Sequence, residues 1–258
     1  MYMRKPVSAA NWKMHKTIRE ASEFVAGVRS KILDVPQVDI ILCASSTVLF
    51  HIAADADESG IEFGAQNCHW ENEGAFTGEV SPEMLLDCGA QWVIVGHSER
   101  RHLFGETDED VARKFSAAVS AGLKPILCVG ETLDERQSGT TSEVIWRQLN
   151  AVTSLIEVEA FDRAVIAYEP VWAIGTGITA ETDQIEEAHG VIRDFMKNVD
   201  EKLADEIRIL YGGSVKPTNA TELIEIAGVD GVLVGGASLS IDSFMEITQA
   251  ISEHYDKG

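Results

Sequence analysis

The stretch Trp92–Gly130, WVIVGHSERRHLFGETDEDVARKFSAAVSAGLKPILCVG, decides the fold. It opens on an apolar, β-branched run, Trp92–Gly96, and closes on a second, Pro125–Val129. Between them Asp108–Ala121 reads as an amphipathic helix. Thr107 precedes it, and Asp108, Glu109 and Asp110 put acids in the first turn, where they face the positive end of the helix dipole. Gly122 stands where a helix closes on a left-handed glycine. Near-continuous apolar strands joined through a helix are parallel strands buried on both faces.

The same unit recurs outward in both directions. Further runs lie at Val7–Ala10, Val38–Cys43, Ile61–Ala65, Ala164–Tyr168, Ile207–Tyr211 and Gly231–Val234. Helical stretches at Thr17–Lys31, Ser45–Glu58, Glu143–Ile156, Glu181–Asn198 and Ser238–Glu253 alternate with them, and Pro82 and Pro217 sit where a helix opens. Eight such units in 258 residues close most economically into an α/β fold of the (β/α)8-barrel type. With no repeat, low-complexity tract or linker composition, residues 1–258 are expected to form a single domain. One segment departs from the pattern. Gln66–Ser81 has neither helical nor alternating period; a loop of that length is functional or an interface, and Trp70 and Phe76 at its centre favour the interface.

Composition narrows the function. The chain is 45% hydrophobic and 24% charged, an ordinary globular balance. A net charge of −21 argues against nucleic acid and anionic membranes as partners. Neither a signal-length apolar run at the N-terminus nor a membrane-length one elsewhere is present. Cys43, Cys68, Cys88 and Cys128 lie far apart, and free thiols in a reducing cytoplasm are expected.

In a parallel barrel the working residues sit at the carboxyl ends of the strands. Those ends carry Asn11-Trp12-Lys13, Gln66-Asn67, His97-Ser98-Glu99-Arg100-Arg101, Cys128-Val129-Gly130-Glu131, Tyr168-Glu169-Pro170, Gly212-Gly213-Ser214 and Gly235-Gly236-Ala237-Ser238. The two glycine pairs follow the seventh and eighth strands, where backbone N–H groups and a helix start can cradle a phosphate; tight turns would explain either pair alone. Lys13 stands among apolar neighbours in a chain short of cations, which favours a positional role over a solvated one. His97 alone reads equally as a polar core residue or as a catalyst. Glu169, at the end of an apolar strand between Tyr168 and Pro170, is a partly desolvated carboxylate of the kind used as a general base. Gly175-Thr176-Gly177-Ile178-Thr179-Ala180 imitates a dinucleotide fingerprint with Asp200 about twenty residues on, but it follows the sixth strand rather than the first. A hinged lid suits it better. No metal-ligand spacing and no nucleophile elbow is present, so neither a metal nor a cofactor is expected.

These blocks, together with Gly74-Ala75-Phe76-Thr77-Gly78-Glu79 and Tyr168-Glu169-Pro170-Val171-Trp172-Ala173-Ile174-Gly175-Thr176-Gly177, resemble the triosephosphate isomerase family in the family's own order from Asn11 to Leu239. The resemblance implies a TIM barrel that interconverts dihydroxyacetone phosphate and glyceraldehyde 3-phosphate in glycolysis and gluconeogenesis, without a cofactor. It implies Glu169 as base, His97 as neutral electrophile, Asn11 and Lys13 as polarising groups and Glu99 as the partner of Lys13. Gly175, Ser214, Gly235 and Gly236 would hold the phosphate. Neutral imidazole and lid closure are points for which this family is itself the standard illustration. The Gln66–Ser81 loop would make a homodimer, Thr77 reaching the partner subunit's Asn11. Another phosphate-binding barrel enzyme, such as a sugar-phosphate epimerase, shares the glycine cradles but not the His97/Glu169 pair. A catalytically silent scaffold would be expected to have lost Lys13, His97 or Glu169.

Overall fold

A computed structural model describes residues 4–55, 59–175 and 179–256. Eight strands, β1 Val7–Asn11, β2 Asp39–Ala44, β3 Ile61–Ala65, β4 Trp92–Val95, β5 Lys124–Val129, β6 Val165–Tyr168, β7 Arg208–Tyr211 and β8 Gly231–Val234, form a closed barrel in chain order. Every pairing is parallel, and β8 returns to β1 in the register Val7↔Gly231 to Ala10↔Val234. The strands are buried nearly throughout because both faces are covered. Their inward side chains, among them Ala9, Ile41, Ile94, Ile126 and Leu210, fill the lumen, while the outward ones pack beneath the helices. The centre is therefore a packed core rather than a pore.

The decisive stretch folds as its sequence dictates. Thr107 caps the helix Asp108–Ala121, accepting from the Asp110 N–H while the Asp110 side chain accepts from the Thr107 N–H. Gly122 ends it in the left-handed conformation at φ 105°. Pro82 opens the helix Pro82–Asp87 behind a Ser81 cap, as its position implies. Pro217 does not open one. It begins a turn, and the helix starts at Ala220, because the Asn219 side chain first accepts from Lys216 N–H and donates to the Ser214 carbonyl. Asp200, the acidic residue of the dinucleotide look-alike, caps the helix Glu201–Glu206 at Leu203 N–H. Gln66–Ser81 is irregular, with His69 stacked on Trp70 at 4.4 Å and packed on Phe76 at 4.3 Å. All four cysteines are free thiols, and no helix among the described residues is long and apolar enough to cross a membrane.

Candidate active site

At the carboxyl ends of the strands the loops enclose a cavity of about 420 Å3. Asn11 and Lys13 reach it from β1, His97 from β4 and Glu169 from β6. Gly175, Ser214, Gly235 and Gly236 complete its wall. Glu99 does not line it; it stands in the adjoining cleft and accepts from Lys13 Nζ at 2.5 Å. A larger cavity of about 830 Å3 opens at the amino ends of β2–β5, between Phe50, Glu62 and Lys124. Size therefore does not select the site; converging charge and bare backbone do.

Glu169 is 2% exposed, immediately after β6. Its N–H donates to the Val129 carbonyl at 2.8 Å, which holds its backbone against β5. Oε1 lies 3.0 Å from His97 Nε2, and Oε2 accepts from Ser98 N–H at 2.8 Å. His97 precedes the short helix Ser98–Leu103 as its cap, and its Nδ1 accepts from Glu99 N–H at 3.2 Å. With Nδ1 an acceptor, the ring proton belongs to Nε2, the atom that faces Glu169. Burial first, and then the nearby Glu169 charge, push the Cys128 thiol well above its ordinary range, so its S–H stays on beside the carboxylate. Gly130 and Gly212 leave the room this packing needs. A Cβ at Gly130 would collide with the Glu169 carbonyl, and one at Gly212 would sit 3.1 Å from Glu169 Cγ.

Lys13 is held as firmly. Its backbone adopts φ 53°, a left-handed conformation rare for a lysine, and its N–H donates to Asn11 Oδ1 at 3.0 Å. The ammonium thus faces β8, where a Cβ on Gly235 would lie 3.5 Å from Lys13 Cε. Beyond Gly235 the chain turns into the 3-10 segment Gly236–Leu239. The first N–H groups of such a turn have no partner within it and suit an oxyanion. Lys216 adds a second cation to the wall.

Other residues contribute beyond those the sequence marks, and Gly212, read there as part of a phosphate cradle, has its N–H bonded to the Tyr168 carbonyl at 2.7 Å instead. Ser98, Cys128, Gly130 and Gly212 all lie in strand-end clusters, but only the geometry shows that they surround Glu169. Glu131, fully buried after β5, accepts from Tyr168 OH at 3.1 Å and Trp172 Nε1 at 3.0 Å. Burial raises its pKa above the ordinary carboxylate value, against the pull of these donors. Of the segment read as a lid, residues 176–178 lie outside the described residues.

A closed parallel barrel with a carboxylate–imidazole pair facing an ammonium and a glycine-rich anion cradle defines a phosphate-binding barrel enzyme of the proton-transfer type. A profile of the triosephosphate isomerase family matches residues 6–251. The chain is 48% identical over 247 residues to the triosephosphate isomerase of Endomicrobium trichonymphae, covering 96% of this chain and 99% of that one. It is 50% identical over 248 residues to that of Carboxydothermus hydrogenoformans, covering 96% and 99%. To that of Syntrophotalea carbinolica it is 47% identical over 248 residues, covering 96% and 98%. The chain belongs to the triosephosphate isomerase family.

Proposed function

We propose that this protein interconverts dihydroxyacetone phosphate and D-glyceraldehyde 3-phosphate, with Glu169 as the base. The observation that carries the reading is the 3.0 Å contact between Glu169 Oε1 and His97 Nε2 on the wall of a cavity that also holds Lys13 and the Gly235-Gly236 backbone. The phosphate dianion binds at the backbone of Gly175, Ser214, Gly235 and Gly236, which leaves the carbonyl facing His97 and Lys13. Glu169 takes a proton from C1 of dihydroxyacetone phosphate, and the electron pair moves through the new C1–C2 double bond onto the carbonyl oxygen. The His97 Nε2–H and the Lys13 ammonium stabilise the enediolate, with Asn11 orienting Lys13. His97 gives its Nε2 proton to the oxygen on C2 and takes the hydroxyl proton from the oxygen on C1, while Glu169 returns the carbon proton to C2. The C1–C2 double bond becomes the aldehyde C=O at C1, and both groups end as they began. Glu99 holds the Lys13 ammonium in place. No step calls for a cofactor or a metal ion.

The assembly is a homodimer. Met14 is 94% exposed and Phe104 69%, and both line a cleft of about 390 Å3 that adjoins Asn11 and Lys13. Phe76, on the Gln66–Ser81 loop, is 42% exposed on one protomer. Exposed apolar side chains beside a cleft of loop dimensions are served by a second copy, whose loop tip would bring Thr77 to the partner subunit's Asn11. The compartment is the cytoplasm, in keeping with four unpaired thiols.

A coupled assay with glyceraldehyde 3-phosphate tests the activity; turnover of a pentulose phosphate in its place would make the protein an epimerase, and turnover of neither would make it a scaffold. Removing residues 70–78 should give a monomer by light scattering with little activity. A fully active wild-type monomer at assay concentration would refute the interface.

A further inference from the structure

We propose that Lys16 is a positioning residue, a strap that fixes the distance between the Lys13 ammonium and the backbone cradle after β8. The inference rests on the function proposed above, since it concerns how that site holds its phosphate. Lys16 lies outside the cavity wall. It stands at the far end of a four-residue bend, Lys13-Met14-His15-Lys16, whose two ends are the non-glycine residues with left-handed backbone among those described, φ 53° at Lys13 and φ 73° at Lys16. Two lysines in a conformation that disfavours both must be compensated by their side chains. For Lys13 the compensation is the Glu99 ion pair. For Lys16 it is a different connection.

The Lys16 ammonium donates to the Leu239 carbonyl at 3.0 Å, joining the loop after β1 to the loop after β8. Leu239 is the last residue of the turn that begins at Gly236, so this carbonyl has no partner within the turn and lies at its negative end. The same ammonium stands 4.5 Å from the ring centre of Phe24 and 5.2 Å from that of Trp12. Those rings are themselves packed edge-on at 5.1 Å and fully or almost fully buried. Two aromatic faces and one carbonyl hold a single cation in one place. Burial lowers the Lys16 pKa, opposed by Glu20, so the charge is held partly out of water.

The consequence concerns the two loops at once. One carries Asn11 and Lys13, the other Gly235 and Gly236, and they meet where a Gly235 Cβ would touch Lys13 Cε. With the strap cut, the bend can relax out of its left-handed ends and the Lys13 ammonium retreats from the cradle. Glu169 and His97 stay in place, because they belong to other strands, while the retreat of Lys13 weakens both the hold on the dianion and the stabilisation of the enediolate.

Three variants test this. Lys16→Met keeps the alkyl stem over the rings and removes the charge and donor; Lys16→Arg restores both. Lys16→Gly removes the strap but suits φ 73°, so it should raise stability or leave it level while still weakening phosphate. Inorganic phosphate binding by calorimetry should weaken about tenfold in the Met and Gly variants, the size of one lost charged hydrogen bond. kcat/KM for glyceraldehyde 3-phosphate should fall by at least a similar factor, and Arg should recover most of the loss in both phosphate binding and turnover. Unchanged phosphate affinity in both Met and Gly variants overturns the strap. So does a loss that follows falling thermal stability and that Arg does not recover. Inactive wild-type protein that still binds phosphate would remove the proposed function, while the calorimetric comparison would still decide the strap.

Discussion

Shortening Glu169 to Asp withdraws the carboxylate by one carbon–carbon bond, about 1.5 Å. Whether that distance matters depends on whether the backbone can follow. It cannot follow toward β5, since Glu169 N–H is already bonded to Val129 at 2.8 Å and the Glu169 carbonyl fills the space a Gly130 side chain would need. On the β7 side, Gly212 N–H donates to the Tyr168 carbonyl at 2.7 Å and fixes the preceding peptide. The Asp oxygens therefore lose the 3.0 Å contact with His97 and the 2.8 Å bond from Ser98, and they fall short of the substrate carbon by nearly the full bond. A misplacement of about 1 Å costs roughly 100-fold in rate, so Glu169→Asp should lose at least that factor in kcat, with KM little changed. The coupled assay with glyceraldehyde 3-phosphate reads both constants. A kcat within a few-fold of wild type would assign the base to another residue, and the contacts described around Glu169 would then be structural only.

Lys13→Met should lower kcat/KM by about 100- to 1,000-fold, the scale of one electrostatic stabiliser removed from a closed site, and near-normal turnover would reject its role. His189 is a stability switch: its Nδ1 donates to the Gly228 carbonyl at 3.0 Å, Nε2 is buried without a partner, and burial depresses its pKa from 6.5 to about 4. Its contribution, roughly 3 kcal/mol, is complete above the unfolded value near 6.5 and is lost as pH falls toward 4, so urea unfolding of His189→Gln should show a flatter pH dependence over that window than wild type. Raising chloride from about 0.01 to 0.1 M, which shortens the Debye length from about 30 to 10 Å, should raise kcat/KM or leave it level, because the repelling charge is distant and the attracting groups are near; a steep fall with the dimer intact contradicts this.

The strands were legible to within about a residue because burial on both faces writes a near-continuous apolar run. Trp92–Gly96 shortens to Trp92–Val95, since Gly96 turns at φ 71° to place His97, and Val7–Ala10 extends to Asn11, which pairs with Cys43. The short helices Leu133–Gln137 and Glu201–Glu206 left no periodic signal, being too brief for one; their capping residues, Thr132 and Asp200, define them instead. In the site, the residue types that sequence singled out do converge on one cavity, with Glu99 just beyond it. What could not be read was contact. Nothing in the sequence says that Ser98 N–H bonds Glu169, or that Lys16 reaches a carbonyl 223 positions away. Those contacts depend on strand register and loop conformation, which a local pattern does not encode.

The acidity of the chain and the anionic substrate are reconciled by distance. Forty-two acids face twenty-one bases, and several of the bases are drawn into ion-pair networks: Glu106 with Arg100 and Lys114, Asp230 with Arg4 and Arg193, Asp108 with Arg101 and Arg147. Such pairs neutralise carboxylates inside the fold and leave the excess acids to solvent, where charges farther off than about 10 Å are largely screened at ordinary ionic strength. A cation at about 4 Å in a partly desolvated cavity contributes about 4 kcal/mol of attraction, undiminished by that screening. Lys13 and Lys216 stand on the cavity wall, with the backbone of Gly235 and Gly236 between the strand end and the turn. The dianion thus meets a positive site only once inside the cavity. In the function proposed, the placement of Lys13 after β1 and Lys216 after β7 on that wall, rather than the sign of the whole surface, decides whether the dianion stays.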